Sequence, residues 1–232
     1  MTVDPRLLEH LRAFDTPTVC NALEVLDPSR RGHGFTTRPF VCAQPALGAV
    51  CGFARTATIR AVQPSGLSPE ARRRRRLDYY AYVAEAPGPT VVVVQDLDPT
   101  PGFGAFWGEV NSAVHRALGC MGAVTDGSVR DLDALDPEFQ LLAGSVGPSH
   151  AHVHVVDFGI DVNVHGMAVR HGDVIHADRH GAVVIPVALL EDLPDAIELC
   201  LRRERPILEA ARSGALTLEA LAEAFRRAEE IH

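Results

Sequence analysis

An arginine followed directly by an aspartate, Arg130-Asp131, is the pair in this sequence best suited to chemistry. The guanidinium can bind a carboxylate at two points. The neighbouring carboxylate can hold a hard divalent cation such as Mg²⁺. A 2-oxo acid has both a carboxylate and a keto oxygen, so the pair suits chemistry on such a compound. The alternative interpretation is an ion pair at a surface turn.

The elements that must position this pair are a helix, a strand and a turn. We predict a helix over Gly108–Leu118 and an apolar strand over Met121–Thr125, followed by a glycine-containing turn that ends in Arg130-Asp131. Glu109 lies at the start of the helix, where an acidic side chain also interacts favourably with the helix dipole. The backbone amides of residues 108–111 would then form an anion-binding helix N-terminus.

The composition predicts an ordinary globular protein. Of the 232 residues, 47% are hydrophobic and 22% are charged, which fits a single domain over residues 1–232 with a helical tail from about residue 188. The formal net charge of −8 argues against a general nucleic-acid-binding protein, which is usually basic.

The sequence indicates a cytoplasmic protein. No apolar run approaches the roughly 20 residues that span a bilayer, and we expect no signal peptide and no membrane partner. The five cysteines contain no CxxC motif and are expected to be reduced thiols.

The remaining pattern predicts helices, then mixed strands and helices, then a helical tail. The predicted helices and strands are a helix over Asp4–Phe14, a helix capped by Thr16, an extended stretch over Leu47–Val62, a helix over Ser68–Glu85, a buried strand over Thr90–Asp96, a short strand over Glu138–Ala143, two strands within Met167–Pro186, and helices over Leu189–Arg203, after Pro206 and from Thr217.

Five consecutive arginines, Arg72–Arg76, lie inside one of the predicted helices. Consecutive helical residues point in different directions, so we expect these side chains to surround the helix rather than form one patch. One interpretation is a solvated helix end paired with the protein's own carboxylates. The other is a contact with an anion or with RNA.

Histidines alternate with other residues in SHAHVHVVDF, so His150, His152 and His154 are predicted to share one face of a strand over Ser149–Phe158. Such a face could bind a metal, or it could face water or a neighbouring subunit. A second set, His176, Asp178 and His180, is predicted at a turn, where it could approach a substrate or a neighbouring subunit. Asp178 could instead fix the turn itself.

Two ordered segments carry a resemblance to a known family: WGEVNSAVHRALGCMGAVTDGSVRDLDAL and, later in the chain, GDVIHADRHGAVVIP. With the helix start Thr16-Pro17-Thr18 they resemble the family of regulator of ribonuclease activity A over most of residues 15–190. The enzymatic members of that family are class II aldolases acting on 4-hydroxy-4-methyl-2-oxoglutarate and related 2-oxo acids. The resemblance implies an α/β/α sandwich of the swivelling β/β/α type, assembled as a homotrimer or homohexamer.

The resemblance also implies roles for individual residues. Arg130 would bind the carboxylate and keto oxygen of the substrate, and Asp131 would coordinate Mg²⁺ or Mn²⁺. The loop of Gly108, Glu109, Val110 and Asn111 would hold the pyruvate-like portion through its amides. Glu109 would also reach the metal through water, and it is our candidate for proton transfer.

Two features depart from the family pattern. Asn21 stands where an aspartate is expected, and the acid that some aldolases lend to a neighbouring subunit has no clear counterpart, with Glu229 and Glu230 as the candidates. The helix over Ser68–Tyr82 resembles an insertion. Together with the histidine-rich region 150–180, it indicates a subgroup whose substrate differs.

The chain contains no lysine, so a lysine-dependent aldolase mechanism is excluded and a metal must take up the electrons. We therefore predict a metal-dependent lyase that cleaves a 4-hydroxy-2-oxo acid to pyruvate, with oxaloacetate decarboxylation as a side activity. The alternative is a non-catalytic binding protein that regulates a ribonuclease.

Overall fold

The computed structural model describes residues 3–85 and 87–232, and these form six α-helices and eleven β-strands. The helices are α1 (Pro5–Leu11), α2 (Thr16–Leu26), α3 (Pro69–Val83), α4 (Glu109–Ala117), α5 (Leu193–Arg212) and α6 (Leu218–Glu229). The strands are β1 (Val41–Cys42), β2 (Val50–Arg60), β3 (Thr90–Asp96), β4 (Ala105–Trp107), β5 (Cys120–Val129), β6 (Gln140–Val146), β7 (His154–Phe158), β8 (Val162–Val164), β9 (Met167–Val169), β10 (Val174–Asp178) and β11 (Gly181–Ile185).

Nine of the strands form one mixed sheet in the order β1-β6-β5-β3-β2-β10-β11, with β4 paired to β5 and β7 paired to β2. The central strands β2, β3, β5 and β6 are parallel to one another, whereas β10 joins β2 antiparallel. Strands β8 and β9 form a separate antiparallel hairpin.

The two faces of the sheet are covered by different layers. On β3, Val92 and Val94 face a cluster that contains Tyr79 and other residues of α3. Val91 and Val93 face the opposite cluster, which contains the β8–β9 hairpin. Because both faces are covered, four successive valines form the middle of the strand instead of an alternation of apolar and polar residues. The layers follow the order hairpin, sheet and helices, which confirms the predicted mixed α/β fold.

The N-terminal helices pack with α5 in a third cluster. Asp15, and not the predicted Thr16, caps α2, since the Asp15 carboxylate accepts a hydrogen bond from the Thr18 amide at 2.9 Å. Thr16 is the first helical residue, and its hydroxyl instead bonds to the His176 ring at 3.0 Å. The Thr16 side chain, which the local pattern predicts as the helix cap, therefore bonds to a residue far away in the sequence instead.

The prediction that the C-terminal helix breaks at Pro206 is wrong. Helix α5 continues through this proline to Arg212, and Pro206 is buried. The side chain of Arg203 donates a hydrogen bond to the Ile231 carbonyl at 2.9 Å, which joins α5 to the end of α6. Packing against α6 offsets the missing proline N–H, which would otherwise favour a kink. The start of α6 is as predicted, capped by Thr217.

Within the described ranges, no helix has the length and apolar character needed to cross a membrane.

Candidate active site

Strand β5 is longer than predicted and carries the chain directly to Arg130. The Arg130 amide donates a hydrogen bond to the Trp107 carbonyl at 3.0 Å. Trp107 ends β4 and is fully buried, so it fixes the end of β5 beside the first turn of α4. This pairing of strand ends brings together two segments that lie about twenty residues apart in the sequence.

Asp131 lies against the N-terminus of α4. Its carboxylate Oδ2 accepts a hydrogen bond from the Glu109 amide at 3.3 Å and lies 3.4 Å from Arg130 Nε. Its backbone has left-handed angles, φ 55° and ψ 41°, which aspartate tolerates better than most residues do. Strained backbone of this kind is frequent at functional sites.

Gly108 leaves room for this contact. A Cβ atom at position 108 would lie 2.5 Å from Asp131 Oδ2 and 3.2 Å from Arg130 Cγ. Any larger residue would push the two side chains away from the start of α4. The glycine thus has a steric role here, since its φ of −175° is extended backbone that every residue can adopt.

A cavity of about 570 Å³ opens beside this pair. Arg130 and Asp131 line it together with five other groups of residues: three residues of the loop before α3, one face of α3, Ala105 and Phe106 of β4, the start of α4 at Gly108, Val110 and Asn111, and the segment 150–155. The volume falls in the range typical of small-molecule sites. It is much larger than a pyruvate unit needs.

The start of α4 offers backbone amides rather than side chains. Gly108 provides no side-chain cap, so the N–H groups of the first turn that follow Glu109, whose own amide bonds to Asp131, are available to an anion. The Asn111 side chain is already engaged, because its Oδ1 accepts from the Tyr80 hydroxyl at 2.8 Å and its Nδ2 donates to the Phe106 carbonyl. Glu109 is exposed, and its side chain does not line the cavity.

A buried hydrogen-bonded chain joins α3 to α4, and the sequence pattern did not indicate it. The His115 Nδ1 atom lies 2.7 Å from the Asn111 carbonyl and must donate to it, so Nε2 accepts from the Tyr79 hydroxyl at 2.8 Å. Burial lowers the pKa of His115 to about 4, although its bond to the Asn111 carbonyl acts in the opposite direction. The ring is therefore neutral at pH 7.

We expect His115 to make the protein sensitive to acid. Because its pKa is lower in the folded chain than the unfolded value of 6.5, its contribution is complete above pH 6.5 and is lost as the pH falls towards 4. Between pH 7 and pH 5 the loss should be about 2 kcal/mol in the free energy of unfolding. We expect the free energy of unfolding of His115→Gln, measured with denaturant at both pH values, to fall by about 2 kcal/mol less than that of the wild type. The exposed His33→Gln is the matched control, and an equal loss in wild type and His115→Gln would contradict the expectation.

The prediction that His150, His152 and His154 share a strand face is wrong, because β7 begins only at His154. The preceding residues form a turn in which Ala151 has a positive φ of 46° and the Val153 amide bonds to the His150 carbonyl. All three histidines nevertheless line the cavity. Within residues 3–85 and 87–232, no three His, Cys, Asp or Glu side chains are placed to hold a metal, which excludes the HxHxH site there.

The second set of histidines is structural. The Asp178 carboxylate accepts from the amides of Thr16 at 3.1 Å and His180 at 2.9 Å, so it fixes the turn between β10 and β11 and holds it to α2. The buried His176 ring bonds to Thr16 and to the Leu11 carbonyl. None of His176, Asp178 and His180 lines the cavity.

Asn21, Glu229 and Glu230 also lie away from the cavity. Asn21 is exposed on α2. Glu230 forms an ion pair with Arg226 of α6, and neither it nor Glu229 lines the cavity.

The arginine run is divided between the cavity and the outer surface of α3. Arg72, Arg75 and Arg76 line the cavity, whereas Arg73 and Arg74 do not. In the part of the chain that the structure describes, only Arg75 of the five forms an ion pair, with Asp157 at 3.0 Å. The residues at i, i+3 and i+4 share one helix face, so three of the arginines form a patch after all.

Asp131 is the carboxylate in the cavity lining that could hold a divalent cation. Its Oδ2 is engaged by Glu109 and Arg130, while Oδ1 has no partner among the described residues. Mg²⁺ is commonly held by one or two carboxylates, several waters and oxygens of the substrate. One free carboxylate oxygen at the edge of an open cavity fits that coordination, although it does not form a closed protein site.

Comparisons with known proteins agree with this architecture. The chain is 30% identical over 112 residues to an uncharacterized protein of Methanocaldococcus jannaschii, a match that covers 47% of this chain and 54% of that one. The chain thus spans about half the length of that curated relative. Its fold is similar to an uncharacterized protein of Pseudomonas syringae pv. tomato, with a TM-score of 0.73, 21% identity, and 98% and 96% of the two chains covered.

The fold is also similar to Streptomyces coelicolor RraAS2, described as an unusual member of the RNase ES inhibitor RraA protein family. The TM-score is 0.65 and the identity 21%, with 88% of this chain and 95% of that chain covered. At these identities the two solved structures support the fold alone. The family itself follows from the sequence of residues 16–184, which matches the family described as RraA-like, aldolase/RraA. This chain belongs to the RraA-like family.

Proposed function

We propose that this chain is a divalent-metal-dependent lyase that releases pyruvate from a 4-hydroxy-2-oxo acid and also decarboxylates oxaloacetate. The family contains both lyases and regulators without catalytic activity. The observation that supports the lyase is the contact between Asp131 and the start of α4: the Glu109 amide donates to the Asp131 carboxylate, Gly108 leaves room for it, and Arg130 and Asp131 both line the adjacent cavity.

The binding step uses groups of opposite charge to the ligand. Arg130 is oriented by its backbone bond to Trp107, and its side chain is 37% exposed at the cavity. Its guanidinium can bind the carboxylate and the keto oxygen of a 2-oxo acid together. The free amides at the start of α4 add positive potential on the same side.

In the chemical step the bond between C3 and C4 breaks. Its electrons pass to the 2-oxo group, which gives the enolate of pyruvate together with a carbonyl product, or with CO₂ from oxaloacetate. Arg130 stabilises the negative charge that develops on the enolate oxygen. A divalent cation bound at Asp131 would supply Lewis-acid stabilisation of the same oxygen. The 232 residues contain no lysine that could form a Schiff base.

Two protons must move: one leaves the 4-hydroxyl group, and one is added to C3 of the enolate. Glu109 remains our candidate for this transfer. Its backbone amide touches Asp131, but its exposed side chain would have to turn towards the cavity or act through water. The homotrimer or homohexamer that the family resemblance implies also remains a prediction.

Removal of divalent cations tests the proposal. We expect the purified protein to release pyruvate from oxaloacetate and from 4-hydroxy-4-methyl-2-oxoglutarate with Mg²⁺ or Mn²⁺, and to lose this activity in EDTA. Coupling to lactate dehydrogenase measures pyruvate directly. Reactions with the cation and without protein are essential controls, because divalent cations alone decarboxylate oxaloacetate.

Folded protein that releases no pyruvate from either compound with the cation present would contradict the proposal. Inhibition of a ribonuclease by the same sample would then favour the regulator. Activity that is unchanged in EDTA would contradict the metal dependence but not the lyase reaction.

A further inference from the structure

Helix α3 presents a patch of positive charge to the cavity at some distance along the chain from Arg130. Arg72 and Arg76 are one helical turn apart, so both can approach the same ligand group. Neither side chain forms an ion pair with the described residues, and both are exposed. The chain as a whole has a net charge of −8, so a local cluster of unpaired positive charges is opposite in sign to the chain's overall charge.

The fold does not need these two arginines to hold α3 in place. Tyr79 and Tyr80 bond to α4, and the Tyr82 hydroxyl bonds to the Thr56 amide at 2.9 Å. Arg75 bonds to the Val156 carbonyl and pairs with Asp157. The tyrosine contacts and the Arg75 contacts hold α3 without Arg72 or Arg76, which remain for a ligand.

The size of the cavity indicates a ligand larger than pyruvate. Arg130 and the start of α4 line one part of the cavity, and the α3 arginines belong to another of its lining segments. A volume of about 570 Å³ leaves room for a substrate whose far end extends beyond its 2-oxo acid group. The three histidines of the 150–154 segment can add hydrogen bonds at the same cavity.

We infer that Arg72 and Arg76 form a second anion-binding subsite, which takes a dianionic group, a phosphoryl group, at the far end of the substrate. Two unpaired guanidinium groups balance a dianion, whereas a carboxylate would leave one of them uncompensated. This inference rests on the proposed function for the 2-oxo acid end. It adds a specificity determinant located on α3.

Three ligands of equal chain length test the inference by calorimetric titration with Mg²⁺ present. They are 2-oxopentanoate, 2-oxoglutarate and 2-oxo-4-phosphonobutanoate, which end in a methyl, a carboxylate and a phosphonate group. None has a 4-hydroxyl group, so none is a retro-aldol substrate. For the wild-type protein we expect the phosphonate to bind about tenfold more tightly than 2-oxopentanoate, with 2-oxoglutarate between them.

The matched variants change the same helix by the same charge. Arg72→Gln with Arg76→Gln should remove the preference for the phosphonate and leave the affinity for 2-oxopentanoate unchanged. Arg73→Gln with Arg74→Gln alters two arginines outside the cavity and should retain the preference. Arg130→Ala should weaken all three ligands by a similar factor.

The outcomes separate this subsite from the proposed function. Equal affinities for the three ligands in the wild type, or a preference that survives in Arg72→Gln with Arg76→Gln, would overturn the subsite alone. A stronger affinity for 2-oxoglutarate than for the phosphonate would overturn its assignment to a dianion. If the wild type binds none of the three, the 2-oxo acid site and the subsite are both wrong.

Discussion

Replacing Arg130 by alanine is expected to lower kcat/KM for oxaloacetate roughly 10³-fold. The side chain lies at the cavity beside Asp131, where it would bind the substrate carboxylate and stabilise the enolate oxygen. The second role exists only as charge develops in the transition state, so kcat should fall as well as the affinity. Steady-state kinetics with saturating Mg²⁺ separate the two effects.

Arg130→Lys distinguishes charge from geometry. Lysine keeps the positive charge but cannot bind a carboxylate through two parallel hydrogen bonds, so only part of the loss should be recovered. Arg170→Ala is the matched control, because Arg170 is 79% exposed and lies outside the cavity. Activity of Arg130→Ala within about threefold of the wild type, far below the effect of losing one transition-state donor, would contradict its assigned role.

Replacing Asp131 by asparagine should abolish the response to Mg²⁺, with a loss in kcat/KM of roughly 10³-fold. Asparagine is preferable to alanine here, because it tolerates the left-handed backbone at this position and can still accept the Glu109 amide. The change removes the negative charge, and with it the ion pair to Arg130, but keeps the size of the side chain. Mn²⁺ binding followed by electron paramagnetic resonance should weaken in parallel.

Asp133→Asn is the control for Asp131→Asn. Asp133 lies in the adjacent 3-10 turn, Leu132–Ala134, is exposed, and does not line the cavity. Unchanged Mn²⁺ affinity in Asp131→Asn would show that the cation binds elsewhere. Loss of Mn²⁺ binding in both variants would indicate a diffuse electrostatic effect rather than coordination by one carboxylate.

Local sequence was sufficient where a residue's structure depends on its near neighbours. The valine run of Thr90–Asp96 predicted β3 to the residue, and Ser68-Pro69 predicted the start of α3. Thr217 capped α6 as expected. Ser68 and Thr217 cap the helices that directly follow them, and an unbroken run of β-branched residues is itself typical of a strand buried on both faces, so the local pattern contains the information.

The pattern failed where a distant partner overrides the local preference. The C-terminal helix continues through Pro206 because α6 packs against it, and Thr16 bonds to His176 rather than capping its own helix. The alternation of histidines predicted a longer strand, but Ala151 turns the chain before β7. None of these contacts has a signature within one element.

For the candidate site, the sequence by itself determined the chemistry available at Arg130, Asp131 and the start of α4, since those residue types and the glycine between the elements are visible as a motif. Only the tertiary structure decided that α3 and the segment 150–155 line the same cavity. Spacing along a helix tells which side chains share a face. What that face meets depends on contacts between residues far apart in the chain, such as Tyr79 with His115, and these form only when the sheet and helices pack together.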